Sequence, residues 1–152
     1  MRVGYEWVHS LVDDHSRLAY SELHPDERAA TITGFVERGL AFYAAHGIQP
    51  KRLISDNAFV YRRNRSLREL LVRQGVRQLL IPIRRPQVNG KVERYQQTLK
   101  REWALGQLYR SSDHRADALS HWLGYYNERR PHSSLGGRPP ISRVHNVPRQ
   151  DS

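Results

Sequence analysis

Two acidic residues stand where phosphodiester chemistry could be done. Asp56 ends a short run from Arg52 to Ser55, and Glu93 opens a helical pattern 37 positions later. Hard divalent cations such as Mg²⁺ or Mn²⁺ prefer oxygen ligands, and two of them about 4 Å apart stabilise both the attacking and the leaving oxygen of an in-line displacement. Paired carboxylates supply such ligands. The same residues also have an ordinary reading, with Asp56-Asn57 starting a turn and Glu93 paired on a helix surface with Gln97, Lys100 or a neighbouring arginine. Spacing alone does not choose between the two.

For the carboxylates to converge, the chain must bring the Glu93 helix back over the strand that carries Asp56. The loop Arg84-Arg85-Pro86-Gln87-Val88-Asn89-Gly90, rich in turn formers, stands where that return is needed. Upstream, Trp7 to Val12 and Leu18 to Leu23 read as strands of a hairpin joined by Asp13-Asp14-His15-Ser16-Arg17. Asp26 is placed to cap a helix running to about His46, with Ala29, Ile32, Phe35, Val36, Leu40 and Tyr43 on its inward stripe and Gly47 at its end. Arg52 to Ser55 reads as a strand. Leu67, Leu70 and Leu71 mark a helix closed near Gly75, and Val76 to Ile83 a further strand. Val92, Tyr95, Leu99 and Trp103 form one stripe of a long helix beside Glu93. A last helix spans Asp113 to Asn127 with Ala116, Leu119, Trp122, Leu123 and Tyr126 inward, before Pro131 and Gly136-Gly137-Arg138-Pro139-Pro140 interrupt regular structure. A hairpin followed by alternating helices and short strands predicts an α/β layer whose mixed sheet is antiparallel on one side and parallel on the other.

The chain has 152 residues, 38% of them hydrophobic, enough for one domain with a core rather than two. No apolar run approaches the roughly 20 residues that cross a bilayer, so the reading is soluble and cytosolic, with no membrane partner. The absence of cysteine excludes disulfides and Cys-containing zinc sites, and the eight histidines are scattered. A net charge of +10 favours a polyanionic partner, nucleic acid first, although an arginine-rich genome would produce the same balance, since only Lys51, Lys91 and Lys100 are lysines.

The order of the motifs adds what spacing lacks. Val12-Asp13-Asp14-His15-Ser16-Arg17, Ser55-Asp56-Asn57 and Arg85-Pro86-Gln87-Val88-Asn89-Gly90-Lys91-Val92-Glu93-Arg94 resemble the hairpin, second acid and third acid of the catalytic domain of retroviral-type integrases and bacterial insertion-sequence transposases. Tyr125-Tyr126-Asn127, Arg130-Pro131-His132, Leu135-Gly136-Gly137 and Pro139-Pro140 resemble the C-terminal signature of the transposases. Short patterns match by chance, but several in the right order rarely do.

The resemblance implies a ribonuclease-H-like mixed sheet flanked by helices. Residues 1–110 would form the catalytic core, residues 111–143 a C-terminal helix with a Pro/Gly-rich tail, and residues 144–152 a mobile end. The family's first Asp lies on an opening strand upstream of the position matching Tyr5, where this chain has only Met1-Arg2-Val3-Gly4, so the core is expected to lack that strand and that carboxylate. Asp13 and Asp14 match the hairpin turn instead. Ala58 stands where many relatives have Gly.

By resemblance, Asp56 and Glu93 are the catalytic and metal-binding residues, for Mg²⁺ or Mn²⁺ in a two-metal site of intact relatives, with weak or absent binding expected here. Lys91, Arg94, Gln97 and Lys100 on the helix, and Arg84 and Arg85 before it, are candidate DNA contacts, with an ordinary solvated face as the alternative for each. The implied function is the catalytic-domain portion of an insertion-element transposase, inactive alone. The alternative is a non-catalytic remnant that binds DNA or an intact transposase. Partners would be element ends, target DNA, and a second copy or an intact transposase. The expected location is the bacterial cytoplasm, with association to the nucleoid when DNA is bound.

Overall fold

The hairpin expected at the start of the chain forms from β2 (Glu6–Val12) and β3 (Ala19–His24), antiparallel with Val8 opposite Leu23 and Val12 opposite Ala19. Asp13 builds the turn between them. Its Oδ2 accepts from Ser16 N at 2.9 Å and Ser16 Oγ at 2.6 Å, while its carbonyl accepts from Arg17 N at 2.8 Å. Arg17 takes a left-handed conformation, φ 68°, that a non-glycine residue adopts at a cost of about 1 kcal/mol. The computed structural model describes residues 1–56, 58–81 and 90–146.

A two-residue strand, β1 (Arg2–Val3), precedes the hairpin and pairs antiparallel with β2. The sequence predicts no strand there, because two residues are too few to display an alternating pattern. After β3 come α1 (Ala29–Ala45), β4 (Arg52–Ser55), α2 (Phe59–Arg62), α3 (Arg65–Gln74) and β5 (Arg77–Leu80). Next are α4 (Gly90–Leu99), a π-helical turn (Lys100–Ala104) and α5 (Ser112–Glu128). β4 and β5 are parallel, so both halves of the expected mixed arrangement are present, as separate ladders ordered β1-β2-β3 and β4-β5. Pro82 and Ile83, expected to end the last strand, lie outside the described residues.

Alternation along the hairpin sorts side chains to two faces. Leu11 and Tyr20 meet α1 and α3, where Ile32, Phe35, Val36 and Leu40 pack with Leu67, Leu70 and Leu71. Val8 and Ala19 face α4 and α5, where Tyr95, Leu99 and Trp103 pack with Leu119 and Tyr126. Each such side chain, fully buried, contributes about 1.5–3 kcal/mol. Gly39 also lies buried on α1, because a Cβ there would sit 2.5 Å from Leu11 Cδ1.

Several predicted details differ. Ala29 and Ala116, expected inward, are exposed, since each sits in the first turns of its helix, beyond the reach of the sheet. Asp26 precedes the capping position of α1, yet its Oδ1 accepts from Arg28 N at 3.0 Å and Thr31 Oγ1 at 2.6 Å, so it still braces that end. The long helix widens into a π turn after Leu99, which presents Trp103 to α5, where its Nε1 donates to Arg115 O at 3.1 Å. After the 3₁₀ turn Ser133–Leu135, a second one, Pro140–Asn146, folds the chain back and buries Val144 against Leu18 and Tyr43. Packing thus reaches the first residue of the segment expected to be mobile; residues 147–152 lie outside the described residues. No described helix is long and apolar enough to cross a membrane.

Candidate active site

Asp56 directly follows β4, at the carboxyl end of the parallel pair, the position where open α/β sheets place ligands. Its backbone is turned into α2 by its own side chain: Oδ1 accepts from Ala58 N at 3.0 Å, and Ser55 Oγ donates to the Asp56 carbonyl at 3.0 Å. Oδ2 has no partner among the described residues. The carboxylate is exposed and makes its charge felt on its surroundings. Burial, then Asp56, then Glu27 push the Tyr61 phenol up to about 12. Burial pushes the Met1 amino group down, and Glu27 and Asp56 oppose that shift.

Glu27 is a neighbour that sequence reasoning missed. It stands just before α1 in the run His24-Pro25-Asp26-Glu27, where an acid reads as a helix-end residue, and only the fold brings it to act on the same groups as Asp56.

Glu93 lies in the first turn of α4, where a negative charge is favoured by the helix dipole. It is exposed and makes no hydrogen bond or ion pair among the described residues, so the surface pairing with Lys100 or Gln97 does not form. The opposite face of α4 is anchored. Tyr95 is buried, and its hydroxyl is 2.6 Å from Ser21 Oγ on β3; burial pushes that phenol well up. Arg94, Gln97 and Lys100 project to solvent with Glu93. Lys91 is exposed too, but its Nζ donates to the Asp14 carbonyl at 3.0 Å and pairs with Asp14 Oδ1 at 2.6 Å, tying the start of α4 to the hairpin turn. Arg84 and Arg85 lie outside the described residues.

Both carboxylates have the donor chemistry that Mg²⁺ or Mn²⁺ takes. Among the described residues, however, no three of His, Asp and Glu gather closely enough to hold a metal ion. The described residues therefore do not fit a two-ion site by themselves.

The C-terminal motif residues act on the fold. Asn127 is buried, and its side chain bonds both backbone groups of Ala19 at 2.8 Å. Arg130 forks onto Glu102, with Nε at 3.0 and 3.1 Å from the two oxygens and Nη2 at 2.6 Å from Oε2. The backbone of His132 bridges to Arg138, and its Nε2 lies 3.4 Å from the Tyr126 hydroxyl. Burial first, then Arg17, Arg130 and Arg94, push the His132 imidazole down. Trp122 and Tyr126 pack in the core as expected, whereas Tyr125 is 37% exposed beneath the Arg129 guanidinium.

Comparison with known proteins agrees with this geometry. Residues 74–140 match the family model described as "Integrase core domain". A protein described as an integrase, ORF3 of Spiroplasma virus SpV1-C74, is 24% identical, the match covering 90% of this chain and 41% of that protein. The chain thus spans about two-fifths of that curated relative. The crystal structure of the catalytic core domain of BIV integrase superposes with a TM-score of 0.77 at 22% identity, over 96% of this chain and 90% of that one. A chain in the simian T-cell lymphotropic virus intasome, solved in complex with PP2A regulatory subunit B56 gamma, gives 0.72 at 20% identity, over 93% of this chain and 49% of that one. These likenesses establish the fold, the ribonuclease-H-like arrangement of helices around a mixed set of strands.

Proposed function

We propose that the chain, whose residues 74–140 match the integrase core domain model, is the catalytic-domain portion of an insertion-element transposase, with Asp56 and Glu93 as two carboxylates of its DNA strand-transfer site. The observation that carries this reading is the state of those side chains. Asp56 ends β4 with one oxygen uncommitted, and Glu93 is exposed in the first turn of α4 with no partner among the described residues, which suits ligation better than structure. Within the family such carboxylates take Mg²⁺ or Mn²⁺. The substrate is DNA, met by Arg94, Gln97 and Lys100 on the same outward face, while Lys91 serves to hold α4 on the hairpin.

Among the described residues no third ligand gathers with these carboxylates, so residues 1–152 by themselves are expected to bind divalent ions weakly and to show negligible strand transfer. The experiment is a nicking and joining assay on labelled duplex DNA with Mg²⁺ or Mn²⁺, using the chain and its Asp56→Asn and Glu93→Gln variants. Metal-dependent nicking abolished by either substitution would assign the residues as proposed and overturn the inactivity.

A second reading, a non-catalytic module that binds DNA or an intact transposase, is favoured by the lack of a three-ligand cluster among the described residues. Salt-sensitive DNA binding that survives Glu93→Gln, with no turnover under any metal, supports it. Absence of DNA binding at low salt would overturn the first reading and the DNA-binding form of the second.

A further inference from the structure

The positive charge of this chain is not spread evenly. Residues 51–77 hold eight of the Lys and Arg side chains against only Asp56 and Glu69, a net of +6 out of +10 for all 152 residues. The fold divides these charges: Leu53 packs with the α1 and α3 core, so Arg52 and its register partner Arg77 point to the face of the β4-β5 pair opposite α3. α3 starts close behind Asp56, runs back past the parallel pair, and delivers the chain through Gly75, in the left-handed conformation, to Arg77 at the start of β5. Arg62, Arg65, Arg68 and Arg73 are exposed on α2 and α3, and Arg77 and Arg52 are exposed at the far end. α3 buries Leu67, Leu70 and Leu71, so its arginines occupy the solvent side by geometric necessity.

One feature separates the α3 face from an ordinary solvated one. Of the four arginines on α2 and α3, only Arg65 has a carboxylate partner among the described residues, Glu69 at 3.2 Å, with both side chains largely exposed. Such an exposed pair contributes little and yields readily to a stronger anion. Arg68 is instead held by its bond to the Arg62 carbonyl at 3.3 Å, which keeps its guanidinium over the junction of α2 and α3.

We propose that the outward face of α3 is a second DNA-binding surface, one that tracks the phosphodiester backbone away from the Asp56 end of the sheet and is separate from α4. The inference rests on the reading of DNA as substrate. Ten residues of helix span about 15 Å, long enough to meet more than one phosphate of a strand. Arginine suits this task through its planar fork of donors. Val72, 79% exposed in the middle of the face, would by itself invite a second copy of the chain, but Arg68 and Arg73 line the same shallow hollow and would meet their own charge there.

The test is the salt dependence of binding of the full chain to fluorescein-labelled mixed-sequence duplex, from about 50 to about 200 mM KCl. Each lost phosphate contact lowers the slope of log affinity against log salt by about 0.9, so R68Q/R73Q should flatten it by about 1.8, while R52Q/R77Q, on the opposite face of the sheet, should leave it unchanged. R68K/R73K should keep the wild-type slope. Thermal melting checks that the variants fold; should R68Q/R73Q fail to, R73Q alone decides, with a change of about 0.9. An unchanged slope in the folded R68Q/R73Q or R73Q variant, with wild-type binding intact, would overturn this surface and leave the proposed function standing. Competition by poly-glutamate as effective as that by DNA would overturn it in favour of an acidic protein partner. Failure of the wild-type chain to bind DNA at the lowest salt would remove both this inference and the reading beneath it.

Discussion

The side chain of Asn127 stands in for a neighbouring strand beside Ala19. Its Oδ1 accepts from Ala19 N and its Nδ2 donates to Ala19 O, both at 2.8 Å, across 108 positions of sequence. β3 is the last strand of its ladder, and an unpaired edge invites association with other chains. One amide thus closes the edge at Ala19 and fixes α5 on the sheet. Replacement by alanine strands a buried donor and a buried acceptor. Asn127→Ala should destabilise by about 2–4 kcal/mol, read as a lower urea midpoint with an unchanged denaturant slope. A loss below about 0.5 kcal/mol would mean that water replaces the amide.

Glu102 and Arg130 join the π turn to the C-terminal segment, with 28% and 22% of their side chains exposed. Trp122 Nε1 adds a bond to Glu102 at 3.3 Å. A double-mutant cycle of Glu102→Gln and Arg130→Met should give a coupling of about 1–3 kcal/mol in urea unfolding. Additive effects would show the pair to be incidental.

Gly106 has a packing role. A Cβ there would lie 2.3 Å from the Glu102 carbonyl oxygen, a backbone atom that cannot swing aside. Gly106→Ala should therefore cost about 1–3 kcal/mol and disturb the Glu102–Arg130 pair as well. The check is the same cycle repeated in the Gly106→Ala background, where the coupling should shrink.

Acid should unfold the protein in two stages. Burial first, assisted by neighbouring cations, pushes His9 and His132 below the ordinary 6.5. The unfolded chain therefore takes up these protons before the folded one, and stability, complete above about pH 6.5, declines as pH falls below it. Glu22 is held below its ordinary 4.5 despite burial, by bonds from Arg38, Tyr20 and His24, and Glu102 by Arg130 above all. Their contribution is present above about pH 4.5 and is lost as pH falls through the lower folded values. Melting temperature against pH should show both declines, and His9→Gln should reduce the upper one. A flat profile between about pH 7.5 and about pH 5 would contradict the histidine assignment.

Asp56 and Glu93 should be dispensable for stability. Both are exposed, so Asp56→Asn and Glu93→Gln should shift unfolding by no more than about 0.5 kcal/mol. Loss of the fold in either would turn an inferred ligand into a structural residue.

What the residues themselves determined is the set of local elements and the chemistry they carry. The run Arg52–Ser55 before Asp56, the stripe Tyr95, Leu99 and Trp103, and the leucines of α3 each follow from periodicity and end signals, because a helix or strand face is a local property. The motif order around Asp56 and Glu93 was equally readable. Tertiary structure alone decided what those elements touch. Nothing near Asn127 announces Ala19, nothing near Glu102 announces Arg130, and the pairing of Lys91 with Asp14 depends on a hairpin 77 positions away. The arginines of α3 were visible as letters, but their place on its outer face came only from the packing of Leu67, Leu70 and Leu71 beneath it. Hydrogen bonds and charge pairs across such distances are set by how layers pack, and packing is a property of the whole chain.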